Sequence, residues 1–254
     1  MEIIDIEFLK NLTLKAGKIA LKYFGRVIPH EKSDKTLVTE ADIKLDEFIT
    51  LEINKKYPYH LILSEELGRK KGEVKENIVW AIDPLDGTAA FSSGLPIWGI
   101  SIGILIDNIP TYGAFYIPVT DELYYSDGRS SYLWNQKIKV SKISLDENTF
   151  LAVPSDAHRS FDLKNFPGKT RSMGSIAAHI CYVARGIAAG AIMRGHIWDI
   201  AAGDAILRSA EGETTYLDGM QLEWEELYSC KKAKKTCIAA GKENYKELIG
   251  FIKK

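Results

Sequence analysis

Leu9, Leu12, Ala16, Ile19, Ala20, Tyr23 and Phe24 recur at three- and four-residue intervals, which predicts a helix over residues 5–24 with Gly25 as its C-terminal cap. A second helix is predicted from about Ala41 to Tyr57, opening after Thr39 and stopped by Pro58. Short apolar runs at Leu61–Leu63 and Ile78–Ile82 read as strands. From Trp98 to Val140 the pattern turns β-rich, punctuated by Asn108, Pro110, Pro118, Asp127-Gly128 and Asn135, so an antiparallel meander is expected. Beyond about residue 145 the period alternates. Strand Phe150–Val153, helix Ser175–Arg185, strand Ala188–Met193 and helix Asp199–Glu211 precede strands Thr214–Leu217 and Cys237–Ala240 and helix Glu243–Ile252. Such alternation covers sheets with helices. The chain thus divides into an α+β part, residues 1–144, and an α/β part, residues 145–254, with a soft boundary near 140–148 and no Ser/Pro-rich linker. The parts are expected to share an interface, and a cleft there is the default ligand site.

A chain of 254 residues, 46% hydrophobic and 26% charged, can bury a sizeable core in one or two domains. Its 33 Lys and Arg against 34 Asp and Glu leave a formal charge of −1, without the basic footprint that general nucleic-acid binding needs. The cluster Lys231, Lys232, Lys234, Lys235 reads as a solvated face. The longest apolar run, Trp98–Ile106, is about half of a bilayer span, so no membrane segment is expected. Glu2, Asp5 and Glu7 carry the wrong sign for a secretory signal. Cys181, Cys230 and Cys237 are odd in number and form no CxxC pair, which fits a reducing compartment, and the chain is read as cytoplasmic.

Candidate chemistry lies in acids at element ends. Asp83-Pro84-Leu85-Asp86-Gly87-Thr88 directly follows an apolar strand; Pro84 pushes Asp83 out of the α region, so a turn is expected there with two carboxylates leaving together. Asp86-Gly87-Thr88 resembles a helix start, whose free N–H groups suit a phosphate oxygen. Two carboxylates about 4 Å apart repel by roughly 4 kcal/mol at an effective dielectric of 20, so a cation is expected between them. Turn and cap duty alone would also use these Asp residues, but not both acids, a Pro and a Thr together. Ser64-Glu65-Glu66 ends another strand, and a surface Glu pair explains it as well when read alone. Thr39-Glu40-Ala41-Asp42 opens the second helix, where Thr39 and Asp42 equally fit an N-terminal capping box. Trp198-Asp199-Ile200-Ala201-Ala202-Gly203-Asp204 starts a helix; Asp199 is a first-turn carboxylate, a cap or a ligand with even weight, and the small residues behind it permit close helix approach. Five histidines show no HxxxH, and there is no GxSxG and no Walker lysine loop. Oxygen ligands and a hard ion such as Mg²⁺ are indicated.

These motifs resemble the inositol monophosphatase and fructose-1,6-bisphosphatase superfamily. Its first signature stands as Asp83 to Thr88 and its second as Trp198 to Ala202, with Ser64-Glu65-Glu66 and Leu37 to Asp42 matching in order and spacing. The resemblance implies a layered αβαβα fold, a homodimer, and two or three Mg²⁺ held by Glu65, Asp83, the Leu85 carbonyl, Asp86 and Asp199. It assigns Glu65 to the ion that activates water, Asp86 and Asp199 to the ion beside the leaving oxygen, and Asp83 as a bridge. Thr88 and Asp42 would orient the water and take its proton, and the N–H groups of Gly87 and Thr88 would bind phosphate. Two metals ~4 Å apart suit both oxygens of an in-line displacement.

Substrate choice is expected in the second half. Ser172, in Arg171-Ser172-Met173-Gly174-Ser175, resembles a substrate-contacting Ser of the family, and helix capping explains it equally. The animal enzymes grip inositol with a Glu seven residues ahead of the second-signature Asp, where Ile192 stands here. Arg194 or Arg171 is a candidate for a second phosphate, since guanidinium pairs well with phosphate, although a surface arginine explains either. Ala89-Ala90-Phe91 departs from the Lys-acid-Phe usual in nucleotide-3′-phosphatase relatives. The expectation is a Mg²⁺-dependent phosphatase for inositol 1-phosphate and fructose 1,6-bisphosphate. Its alternatives are a 3′(2′),5′-bisphosphate nucleotidase and a non-catalytic metal-binding interaction protein.

Overall fold

Asp5 opens the first helix by accepting the Phe8 N–H at 3.0 Å, and α1 (Ile6–Ala20) follows. The computed structural model describes residues 4–32, 36–70, 77–141, 144–229 and 232–252; Cys230 and Lys231 lie outside the described residues. A hairpin of β1 (His30–Glu31) and β2 (Leu37–Val38) leads into α2 (Glu40–Lys56). Next come β3 (Leu61–Ser64), β4 (Gly68–Lys70), β5 (Ile78–Asp86) and the short α3 (Thr88–Ser92). The expected meander is β6 (Gly99–Ile106), β7 (Ile109–Ile117), β8 (Glu122–Ser126), β9 (Ser131–Leu133) and β10 (Gln136–Ile138). The rest runs β11 (Phe150–Ala152), α4 (Ala157–Ser160), β12 (Lys169–Arg171), α5 (Ile176–Ala184), β13 (Gly190–Met193) and α6 (Ile197–Ser209). It ends with β14 (Gly212–Tyr216), α7 (Trp224–Leu227), β15 (Cys237–Gly241) and α8 (Lys242–Phe251).

Two large sheets result. One has the order β10-β9-β8-β7-β6-β5-β3-β4, antiparallel except for the β3–β5 pair; the other has the order β12-β11-β13-β15-β14, parallel around β11 and antiparallel around β15. Strand alternation sorts side chains into separate cores. On β5, Ile78, Trp80 and Ile82 face α1 and α2, while Val79 and Ala81 join the core that includes α5 and α6. On β13, Ala191 and Met193 turn to that same core, while Ile192 faces the third, which holds Leu248 of α8. The layers are therefore helices, sheet, helices, sheet, helix. Both sheet faces are covered, which is why β5 reads as an unbroken apolar run.

The small-residue stretch of α6 does what its composition suggested. A Cβ on Gly103 would meet the Ala202 backbone nitrogen at 2.6 Å, and one on Gly113 the Ala202 carbonyl oxygen at 2.4 Å, so α6 lies directly on β6 and β7. Two expectations need correction. The chain does not turn at Pro84: β5 continues through Asp86, and its pairing with β6 shifts between Asp83 and Asp86, which lets the ladder pass a residue without an N–H. The first helix stops at Ala20 rather than residue 24; turns follow to Gly25, at φ +66, with Tyr23 and Phe24 still packed on the core. β1, β2, β4 and β12 escaped the sequence pattern because strands of two or three residues leave no measurable period.

Candidate active site

The bulge at the end of β5 sets the centre. Asp83 Oδ1 accepts the Leu85 N–H at 2.9 Å, and the Leu85 carbonyl accepts from Thr88 Oγ1 at 3.3 Å. Gly87 takes φ +99, open to glycine at little cost, and a Cβ there would come within 3.0 Å of the Gly174 carbonyl. Asp86, buried, accepts from Ser175 Oγ (2.6 Å), Ile176 N–H (3.2 Å) and Ala177 N–H (2.7 Å), so it sits on the N-terminus of α5.

Glu65 follows β3, which is parallel to β5, so the two strands end on the same side. Its turn is held by Asp46, buried on α2, which accepts from Ser64 Oγ and from the Glu66 and Leu67 N–H groups, both at 3.1 Å. Lys32 pairs with Glu65 at 3.1 Å and also with Glu66. Asp46 meets this turn across 20 residues, and no local spacing signalled it. Lys32 lies 33 residues from Glu65 and gave no signal either.

Asp42 fills the capping box and also contacts Thr88. Oδ2 accepts the Thr39 N–H at 2.7 Å and the Thr39 hydroxyl at 2.5 Å, which completes the capping box; Oδ1 accepts Thr88 Oγ1 at 3.0 Å. Asp199 likewise caps its own helix, taking the His196 N–H at 2.7 Å. The His196 ring stacks on Trp198 and brings Nδ1 within 3.5 Å of Asp199.

Electrostatics tie these acids into one group. Burial first, then the Asp199 charge, pushes Glu65 up to about 8. Burial and the charges of Glu65, Asp86 and Asp199 push Asp83 well above the carboxylate range. Asp86 is pushed up to about 7 by burial and Asp199, against the pull of Ser175. Among the described residues, no three His, Cys, Asp or Glu side chains are oriented so as to hold one metal ion, because each acid is turned to a protein donor. The donor chemistry fits a hard divalent cation nonetheless: four carboxylates and a carbonyl, all oxygen, carry negative charge that only partly meets a cation in Lys32.

The candidates on the substrate side are less closely joined. Ser172 is exposed and its Oγ lies 3.0 Å from Ser155 Oγ; α5 is capped by Ser175, so the capping explanation for Ser172 falls. Arg171 lies on edge strand β12 with its guanidinium 5.7 Å from the Phe150 ring centroid, which gives it a partner outside the acid group. Arg194 donates to the Ala233 carbonyl (2.8 Å) and the Lys234 carbonyl (3.3 Å), and lines a cavity of ≈ 590 Å³ with Asp156 and Lys232.

A model of the inositol monophosphatase family matches residues 5–252. The chain is 32% identical over 225 residues to a fructose-1,6-bisphosphatase/inositol-1-monophosphatase of Aquifex aeolicus, covering 83% of this chain and 84% of that protein. It is 35% identical over 234 residues to an inositol-1-monophosphatase of Synechocystis, covering 86% and 80%. Among solved structures, the extragenic suppressor protein suhB of Bartonella henselae matches with a TM-score of 0.86 at 27% identity, over 98% of both chains.

Proposed function

The chain belongs to the inositol monophosphatase family and is a phosphatase of small-molecule phosphate esters, and from that premise we propose that it is Mg²⁺-dependent and hydrolyses sugar or polyol phosphates, inositol 1-phosphate and fructose 1,6-bisphosphate among them. The observation that carries this reading is the mutual repulsion of buried Asp83 and Asp86 and half-buried Glu65 and Asp199 beside the Asp42–Thr88 hydrogen bond. Like charges gathered this closely call for cations between them.

In this reading Glu65, Asp83, the Leu85 carbonyl, Asp86 and Asp199 hold two or three Mg²⁺, with residues 1–144 supplying all but Asp199. Bound Mg²⁺ would neutralise the phosphoryl charge and lower the pKa of water. The chain's own residues do the rest. Thr88 Oγ1, fixed by Asp42, orients a water for in-line attack, and Asp42, whose carboxyl burial pushes upward, takes the proton. The N–H groups of Gly87 and Thr88 donate to the phosphate. Ser172 meets the alcohol portion, and Arg194 receives a second phosphate where the ester has one. Cytoplasmic residence and a homodimer complete the reading; among the described residues no helix is long and apolar enough to cross a membrane.

Phosphate release from inositol 1-phosphate, fructose 1,6-bisphosphate and a 3′,5′-bisphosphate nucleotide, with Mg²⁺ and with EDTA, tests it. Release from the first two only, abolished by EDTA, is expected. Preference for the nucleotide would make the chain a nucleotidase, and no release at any Mg²⁺ level would favour a non-catalytic member.

A further inference from the structure

The loop ahead of α5 is anchored twice. Ser175 caps α5 through the Ala178 N–H (3.0 Å) while donating to Asp86. One turn further in, His179 Nε2 accepts the Met173 N–H at 3.1 Å. The imidazole is 3% exposed, and burial pushes its pKa down to about 4, so Nε2 keeps the lone pair that this bond requires. Met173 lies between Ser172 and Gly174. Ser172 Oγ lies 3.0 Å from Ser155 Oγ, and Gly174, at φ +90, carries the carbonyl that crowds Gly87. Ser155, Ser172, Gly174, Ser175 and His179 together line part of a cavity of ≈ 130 Å³ whose far wall includes Ile192.

We infer that His179 is a positioning residue: by accepting the Met173 N–H it holds Ser172 and Gly174 at the height from which they meet the alcohol portion of the ester, and so sets substrate affinity. The inference rests on the phosphatase reading above. A half-buried N–H that loses its acceptor must find another, and at Met173 the available route is movement of residues 172–174 toward solvent. Such movement displaces Ser172, while Asp86, held by the helix N-terminus itself, keeps its donors.

His179→Phe keeps an aromatic ring and removes the acceptor; His179→Gln returns a side-chain carbonyl that can take the same N–H. With saturating Mg²⁺ and the ester the enzyme hydrolyses best, H179F should raise KM roughly tenfold, with kcat and half-saturating Mg²⁺ within about twofold of wild type. H179Q should bring KM back to within about threefold, and S172A should add little in the H179F background, because both changes remove one contact. Unchanged KM in H179F overturns the inference, as does joint loss of kcat and Mg²⁺ response without rescue by H179Q. Hydrogen exchange at the Met173 amide reads the same bond without turnover: fast in H179F and slow again in H179Q is expected, and unaltered exchange in H179F overturns the inference. If wild-type protein releases phosphate from no ester, the reading of function falls and the amide exchange alone decides.

Discussion

Asp83→Asn separates the cost of gathered charge from its use. The substituted carboxamide keeps the volume and the acceptor for the Leu85 N–H, which stands at 2.9 Å, and removes the charge that faces Glu65, Asp86 and Asp199. One carboxylate pair ~4 Å apart repels by roughly 4 kcal/mol at an effective dielectric of 20, and partial protonation relieves part of that. About 1–3 kcal/mol should remain for the substitution to recover. At this chain length that corresponds to a melting temperature higher by about 2–10 °C in EDTA. The sign follows from linkage. A carboxyl whose folded pKa is raised favours the native state below its unfolded value near 4, and that contribution is lost as pH rises through the folded value. The advantage of D83N over wild type should thus be larger at pH 8.5 than at pH 5. With Mg²⁺ the order reverses, and turnover falls by roughly 100-fold or more. Thermal scans in EDTA and in Mg²⁺ at both pH values, beside phosphate release, supply the test. A metal-free D83N that melts below wild type at pH 8.5 refutes the repulsion argument, and unchanged turnover refutes the bridging role.

Thr88→Ala removes the hydroxyl that Asp42 fixes at 3.0 Å; initial rates should show kcat lower by roughly 100-fold with half-saturating Mg²⁺ little changed, and a shift in Mg²⁺ affinity alone would argue against its water-orienting role. Ser175→Ala strips both the α5 cap and a donor to Asp86, so denaturant titration should read a loss of about 1–2 kcal/mol, and a neutral result would mean the backbone N–H groups suffice. Arg194→Ala should raise KM for fructose 1,6-bisphosphate more than for inositol 1-phosphate. An equal effect on both would assign Arg194 solely to the carbonyls of Ala233 and Lys234.

What the sequence revealed depended on how far apart the cooperating residues lie. The Thr39–Asp42 box, the first-turn place of Asp199 and the close approach of Ala202 to the sheet are local in origin and stand as expected, although α6 itself starts two residues earlier, at Ile197. Sheets covered by helices were legible in the alternation of strand and helix patterns, whereas the αβαβα order came only with the resemblance. Asp46, Lys32, Ser175 and His179 were not legible as parts of the site. Asp46 meets the Glu65 turn across 20 residues, and Ser175 meets Asp86 across 89. Pairings at such separation arise from packing, and a lone Ser or His in a helix start carries no local mark of its tertiary partner. The bulge at Pro84 was misread as a turn because the conformational limits of an X-Pro step fit either.

Three helix starts converge on the acids: Asp42 occupies the first turn of α2, Asp199 that of α6, and Asp86 accepts from the first N–H groups of α5. Each helix end carries about half a positive charge, so together they offset at most about one and a half of the four charges on Glu65, Asp83, Asp86 and Asp199. Lys32 is shared between Glu65 and Glu66. With every acid ionised, negative charge would remain unmatched at the site. The raised pKa values of Glu65 and Asp86 are the protein's own response to that imbalance, since protonation is the one neutralisation open to it without cations.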